Sequence, residues 1–224
     1  MVNMLFSQYN FHKKWAKDTV RKYLNDKQKV LVIPFSFNNK IQNDGDWQKA
    51  YSKSGKYYQN IVQPFNDFGI KDENIDWLNY FADTKETTVE KLKNSDVIFF
   101  TGGLPDRMMD RLQKFDIIDE IERFHGIVIG VSAGALIQLA DYHISPDDDY
   151  KYFSYNKGLN FINDFFIEVH YDESELQNRY IEKVLKEKTN CVYGITDKGG
   201  IIVDQGNVTL VGDTRKFTKE KVFG

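Results

Sequence analysis

The stretch whose reading decides the fold is Gly126 to Ala140, GIVIGVSAGALIQLA. An apolar run from Ile127 to Val131 meets Ser132 between Gly130 and Gly134, and helix-forming residues begin at once. That order predicts a buried strand, a sharp turn carrying a serine, and a helix, which is the G-x-S-x-G pattern of a nucleophile elbow. A serine on a strained strand-to-helix turn stands clear of the sheet. Its neighbours have to be small, because a Cβ on either side would meet backbone. Unpaired N–H groups at the start of the helix then face any negative charge that develops beside the hydroxyl. Small residues also fill ordinary strand-to-helix turns, so the pattern needs support from the rest of the chain.

Outward from the elbow, apolar runs alternate with amphipathic stretches. Lys29 to Phe35 (KVLVIPF) is a short continuous apolar run, as expected of a parallel strand covered on both faces. Trp47 to Phe68 carries Tyr51, Tyr57, Tyr58, Ile61, Val62 and Phe65 at near-helical spacing and predicts one helix, with Pro64 a point where it kinks or ends. Ile75 to Leu78 and Asp96 to Thr101 read as strands, with Thr88 to Leu92 a short helix between them. Gly102-Gly103 stops the second strand, and Pro105 suits the first turn of a helix through Lys114, with Asp116 to Phe124 helical after it. After the elbow, Asp147, Asp148 and Asp149 form a polar loop. Phe165 to His170 is strand-like and Ser174 to Lys186 helical. Val192 to Thr196, Ile201 to Val203 and Val208 to Val211 read as an edge meander joined by glycine turns. Repeated strand-helix units predict an α/β fold, a doubly wound and mostly parallel sheet flanked by helices, in a single domain over residues 1–224.

Composition narrows the function classes. Hydrophobic residues make up 41% and charged residues 28%, which is ordinary for a globular protein. The net charge of −3 comes from intermixed signs, so no nucleic-acid footprint is expected, and Lys13, Lys14 and Lys17 read as a solvated helix face. MVNMLFSQYNFHKKW lacks the apolar core of a secretory signal, and no run approaches a membrane span, so a cytoplasmic protein with no membrane partner is expected. Cys191, the single cysteine, reads as a core residue. The four histidines have no metal-ligand spacing, so no metal is expected.

A serine hydroxyl needs a base, and the base needs a group that orients it. His12 and His125 read as surface groups, and His143 has nothing to support it. His170 ends the strand FFIEVH and enters the polar turn Tyr171-Asp172-Glu173. Carboxyl ends of strands in open α/β sheets face the ligand crevice, so His170 can reach the rim that carries Ser132. An oxyanion needs two donors. One is expected from the N–H of Ala133, and the other from Gly102 or Gly103, where no side chain stands in the way.

TGG after a strand, GVSAGA about thirty residues on and a strand-end His-Tyr together resemble peptidase family S51, over about Val30 to Val211. That family includes the aspartyl dipeptidase peptidase E and the cyanophycinases, and it shares its architecture with class I glutamine amidotransferases. The resemblance implies a Ser-His-acid triad in which Ser132 is the nucleophile and His170 the base. It places the acid in the loop after the elbow helix, where Asp147 fits the spacing best and Asp149 next. Gly102 and Gly103 match the family's glycine pair. Many members follow that pair with Asn-Thr, whereas Leu104-Pro105 stands here. Recognition of an N-terminal aspartate, as in peptidase E, asks for a cation, and Arg107 and Arg179 are the candidates.

The expected activity is hydrolysis of a peptide or amide bond in a small, dipeptide-like substrate through an acyl-enzyme, without a cofactor, by a monomer or homodimer. An amidase or amidotransferase on the same scaffold is one rival; the glutaminase branch uses a cysteine, and Cys191 is not at an elbow. A decayed sensor or partner-binding domain is the other.

Overall fold

The computed structural model describes residues 1–223. In chain order its elements are β1 (Val2–Phe6), α1 (Lys17–Val20), β2 (Val30–Ile33), α2 (Asp44–Tyr51), α3 (Tyr58–Asn66), β3 (Ile75–Trp77) and α4 (Lys85–Lys93). Then come β4 (Val97–Phe100), α5 (Pro105–Lys114), α6 (Ile118–Glu122), β5 (Ile127–Val131), α7 (Ala133–Leu136), β6 (Asp141–Ile144) and β7 (Ser154–Lys157). The chain closes with β8 (Phe166–Val169), α8 (Glu175–Glu187), β9 (Cys191–Asp204), β10 (Asn207–Thr218) and α9 (Lys219–Phe223).

The main sheet runs β10-β9-β1-β5-β4-β2-β3, and β8 also pairs with β9. From β1 to β3 every pairing is parallel, while β9 runs antiparallel to both β1 and β10. The expected mostly parallel α/β sheet is therefore the observed one. Strands β2, β4 and β5 carry no polar side chain, as suits strands covered on both faces. Leu31 and Ile33 of β2 join one core cluster with Ile98 and Phe100 of β4, while Val30 and Val32 join the opposite one with Val97 and Phe99. Each such side chain, fully buried, contributes on the order of 2 kcal/mol. β6 and β7 form a separate two-stranded ladder.

Several elements differ from the sequence reading. Helix Trp47 to Phe68 is two helices, α2 and α3, broken across Ser52–Tyr57. At Gly55 an added Cβ would lie 2.6 Å from the Ala50 carbonyl carbon, so the break folds tightly back on α2. Pro64 lies inside α3. The helix after the elbow is only four residues long, and the chain soon turns into β6. The supposed edge meander is two long strands, of which β9 is internal. His12 is buried rather than on the surface, at 6% exposure, with its Nε2 3.8 Å from Asp67 Oδ2. Cys191 is half-buried at the start of β9.

Gly130, the elbow's first glycine, is the last but one residue of β5 and lies directly beneath α7. A Cβ there would lie 2.0 Å from the Gly134 carbonyl oxygen, so α7 rests on bare backbone. Gly130→Ala is expected to cost about 3 kcal/mol through overpacking. For a chain of this size that lowers Tm by roughly 10 °C, which calorimetry would read directly.

Candidate active site

Strand β5 delivers Ser132 into a conformation few residues adopt, with φ 51° and ψ −110°. Sharp reversal there lets the chain enter α7 while the side chain leaves the sheet. The turn is held at both ends. The Ser132 N–H donates to the Phe6 carbonyl at the end of β1 (2.8 Å), and the Ser132 carbonyl accepts from the N–H groups of Ala135 and Leu136. Gly134 touches β4, since a Cβ on it would lie 2.2 Å from the Phe100 oxygen.

His170 follows β8 and also has positive φ, 52°. Its N–H donates to Ser7 Oγ (3.0 Å), whose own proton goes to the Ile195 carbonyl (2.8 Å), and the next residue, Tyr171, donates its N–H to the same carbonyl. Thus the residue after β1 and the neighbouring strand β9 together set the imidazole. Its Nε2 stands 3.0 Å from Ser132 Oγ, and its Nδ1 stands 2.8 Å from Asp197 Oδ1.

The carboxylate on the imidazole is thus Asp197, which lies beyond His170 in the chain, and not Asp147. β9 explains how a residue inside a strand comes to point at the site. Residues 192–195 of β9 pair with β8, whereas 200–204 pair with β1. Between them the ladder to β10 slips: Gly199 faces Gly212 and Ile195 faces Thr214, so Thr196, Asp197 and Lys198 oppose the single residue Asp213. A bulge of this kind bends the strand and re-aims its side chains. Thr196 Oγ1 stabilises it by donating to the Asp213 carbonyl and accepting the Lys198 N–H. Asp147 does something else: its Oδ1 accepts the backbone N–H groups of Asp149 and Tyr150, capping the loop that all three aspartates share.

The glycine pair after β4 divides its roles. The Gly102 N–H donates to Tyr9 Oη (2.7 Å), so it is occupied. Burial pushes the Tyr9 phenol up to about 12, keeping it a neutral hydroxyl that can accept this bond. Among the described residues, the N–H groups of Gly103 and Ala133 have no partner. Gly103 has φ 138°, a conformation that only glycine adopts readily.

Ser132, Gly103 and His170 form the wall between two hollows. The larger, about 650 Å³, has aromatic and apolar sides from Tyr9, Phe37, Tyr51 and Tyr57, and exposed Lys40, Lys49 and Lys56 among its lining. The smaller, about 150 Å³, is lined by Ala133, Asp147 and the buried pair His143 and Glu168. Glu168 accepts from His143 Nε2 (2.7 Å), Ser145 Oγ (2.8 Å) and Gln177 Nε2 (3.3 Å). Neither Arg107 nor Arg179 lines either hollow; both are exposed, and Arg179 lies over the Tyr180 ring. The described residues contain no His/Cys/Asp/Glu cluster that could hold a metal ion, and no helix long and apolar enough to cross a membrane.

Ser7, Tyr9, Ser36 and Asp197 were missed by sequence reasoning. The signal for Asp197 was Thr-Asp-Lys-Gly-Gly, a polar insert between two apolar runs, which reads equally as a turn.

The family model of peptidase family S51 matches residues 6–211. Two solved structures are similar in fold. One is a candidate peptidase E protein from Listeria monocytogenes EGD-e, with TM-score 0.67 and 18% identity, covering 97% of this chain and 98% of that one. The other is a peptidase from an acI-B1 actinobacterium, with TM-score 0.65 and 17% identity, covering 97% and 93%. No curated protein matches the chain significantly.

Proposed function

Because the chain belongs to peptidase family S51, we propose that it is a serine-type hydrolase that cuts a peptide or amide bond in a small, dipeptide-sized substrate. The observation that carries this reading is the unbroken row from Ser132 Oγ through the His170 ring to Asp197. Ser132 attacks the scissile carbonyl carbon while His170 Nε2 takes its proton. Asp197 holds Nδ1 protonated and stabilises the imidazolium. His170 then gives the proton to the leaving amine, and water, activated by the same ring, releases the acyl group. The free N–H groups of Gly103 and Ala133 are the donors for the oxyanion, Gly102 being engaged with Tyr9. No step requires a cofactor.

The substrate's own charge is met at the rim of the larger hollow. Its cations are Lys40, Lys49 and Lys56; Lys49 has Asp46 at 3.7 Å. A substrate carboxylate would meet these lysines rather than Arg107 or Arg179. The side chains of His170 and Asp197 are 42% and 60% exposed, so a small substrate reaches them without displacing the fold.

An alkyl fluorophosphonate tests the reading. Peptide mapping is expected to find the label on Ser132 alone, and prior replacement of His170 by alanine is expected to abolish labelling while the protein still melts cooperatively. Label on another residue, or none on the wild-type protein, refutes the assignment. The intact row also weighs against a decayed sensor, which has no reason to keep an imidazole between a strained serine and a carboxylate.

A further inference from the structure

We propose that Ser36 is a positioning residue that sets the Gly103 amide as the second oxyanion donor; the inference rests on the reading of Ser132 as the nucleophile. The peptide group that joins Gly102 to Gly103 carries two opposite instruments. Its N–H, on Gly103, would stabilise an oxyanion; its C=O, on Gly102, would repel one. In a trans peptide the two point in opposite directions, so whatever fixes the carbonyl fixes the N–H.

Ser36, just beyond β2, fixes the carbonyl. Its Oγ lies 2.6 Å from the Gly102 oxygen and 2.9 Å from Thr101 Oγ1. A hydroxyl has one proton, and the Gly102 carbonyl can only accept, so the Ser36 proton goes there and Thr101 donates to Ser36. The Ser36 carbonyl in turn accepts the Leu104 N–H at 2.8 Å, and Tyr9 accepts the Gly102 N–H at 2.7 Å. Each polar backbone group from Gly102 N to Leu104 N that faces Ser36 or Tyr9 is therefore tied, and the N–H of Gly103 is left over. It lies on the face away from Ser36. Gly103 shares the lining of the small hollow with Ser132, Ala133 and His170.

Such a tether is needed because glycine stands on both sides of the bond. No Cβ resists rotation of this peptide plane, and a half-turn would present the Gly102 carbonyl where the N–H is wanted. Close packing adds to the hold, since a Cβ on Gly103 would lie 2.5 Å from the Ser36 oxygen. Ser36 is 1% exposed, so bulk water does not reach the position of its hydroxyl. Without that hydroxyl the Gly102 carbonyl loses its buried donor and gains a reason to turn.

Two small probes read this without knowledge of the natural substrate: the second-order rate at which an alkyl fluorophosphonate labels Ser132, and the turnover of p-nitrophenyl acetate. In Ser36→Ala both plateau rates are expected to fall about 10²-fold, as when one oxyanion donor is lost. The pH midpoint of each profile stays at its wild-type position, because Ser132, His170 and Asp197 are untouched. Ser36→Thr, which keeps the hydroxyl, restores most of the rate. Wild-type rates in Ser36→Ala overturn the proposal. So does a midpoint that moves with the plateau, which would put the damage in the row rather than in the amide, or a folded Ser36→Thr as slow as the alanine variant. Should Ser36→Ala fail to melt cooperatively, Ser36→Cys, of similar size but a poorer donor, takes its place and is expected between the two. Absence of label on wild-type Ser132 is a separate result, which refutes the hydrolase reading whatever stands at position 36.

Discussion

Ser132→Ala is expected to fold as the wild type does and to lose between about 10⁴- and 10⁶-fold in kcat, the range over which removal of a nucleophile disables a triad. The geometry says why the two effects separate. Ser132 Oγ has one hydrogen-bond partner among the described residues, His170 Nε2, and that ring is solvent-accessible, so deleting the hydroxyl orphans nothing buried. A surface-type cost of no more than about 0.5 kcal/mol follows. Ser132→Gly sharpens the test. The backbone at φ 51° strains any residue with a Cβ, and such strain costs on the order of 1 kcal/mol or more. Glycine relieves it, so this variant should be as inactive as the alanine one yet melt above the wild type. Inactive and more stable is the combination that marks a strained catalytic serine, since a residue kept for packing would lose stability when truncated. Chemical denaturation of both variants beside a rate measurement on anilide and dipeptide substrates reads both quantities. A Ser132→Gly protein less stable than wild type would contradict the strain argument, and one that retains activity would end the nucleophile assignment.

What was legible in the chain was local. The elbow could be read because strand, serine and helix are consecutive, and because Gly130 and Gly134 record a backbone contact that tolerates nothing larger. His170 could be read because it ends a strand. Residues whose position depends on how distant strands pair could not. β1 is only five residues long and is followed by polar residues, yet it lies inside the sheet between β9 and β5, where its Phe6 carbonyl holds the Ser132 N–H and Ser7 holds the His170 N–H. Tyr9 and Ser36 act on a glycine pair that lies more than sixty residues away from either. Thr196-Asp197-Lys198-Gly199-Gly200 has the composition of a turn and is in fact the bulge where β9 changes partners from β8 to β1. Turn-like composition and a bulged strand look alike in sequence, because both exclude bulky apolar side chains; only the pairing tells them apart.

That ambiguity leads to the second large effect. Asp197→Asn is expected to lower kcat by about 10⁴-fold, while Asp147→Asn leaves kcat at the wild-type level. With a carboxylate at 2.8 Å, Nδ1 of His170 carries the proton and Nε2 presents its lone pair to Ser132. An asparagine at 197 can turn its NH₂ toward Nδ1. That favours the tautomer with the proton on Nε2, where the ring cannot accept from the serine. It also removes the negative charge that stabilises the imidazolium in the transition state. Because Asp197 is 60% exposed, the same change scarcely touches the folding equilibrium, so the loss should fall on rate and leave Tm alone. Asp147 answers to different groups. Its acceptor oxygen caps the N–H groups of Asp149 and Tyr150, and the amide oxygen of asparagine accepts both bonds equally well. Single-turnover rates of the two asparagine variants therefore separate the bulge carboxylate from the loop carboxylate. A loss concentrated at Asp147 would mean that the loop closes onto His170 during turnover and displaces Asp197 from Nδ1.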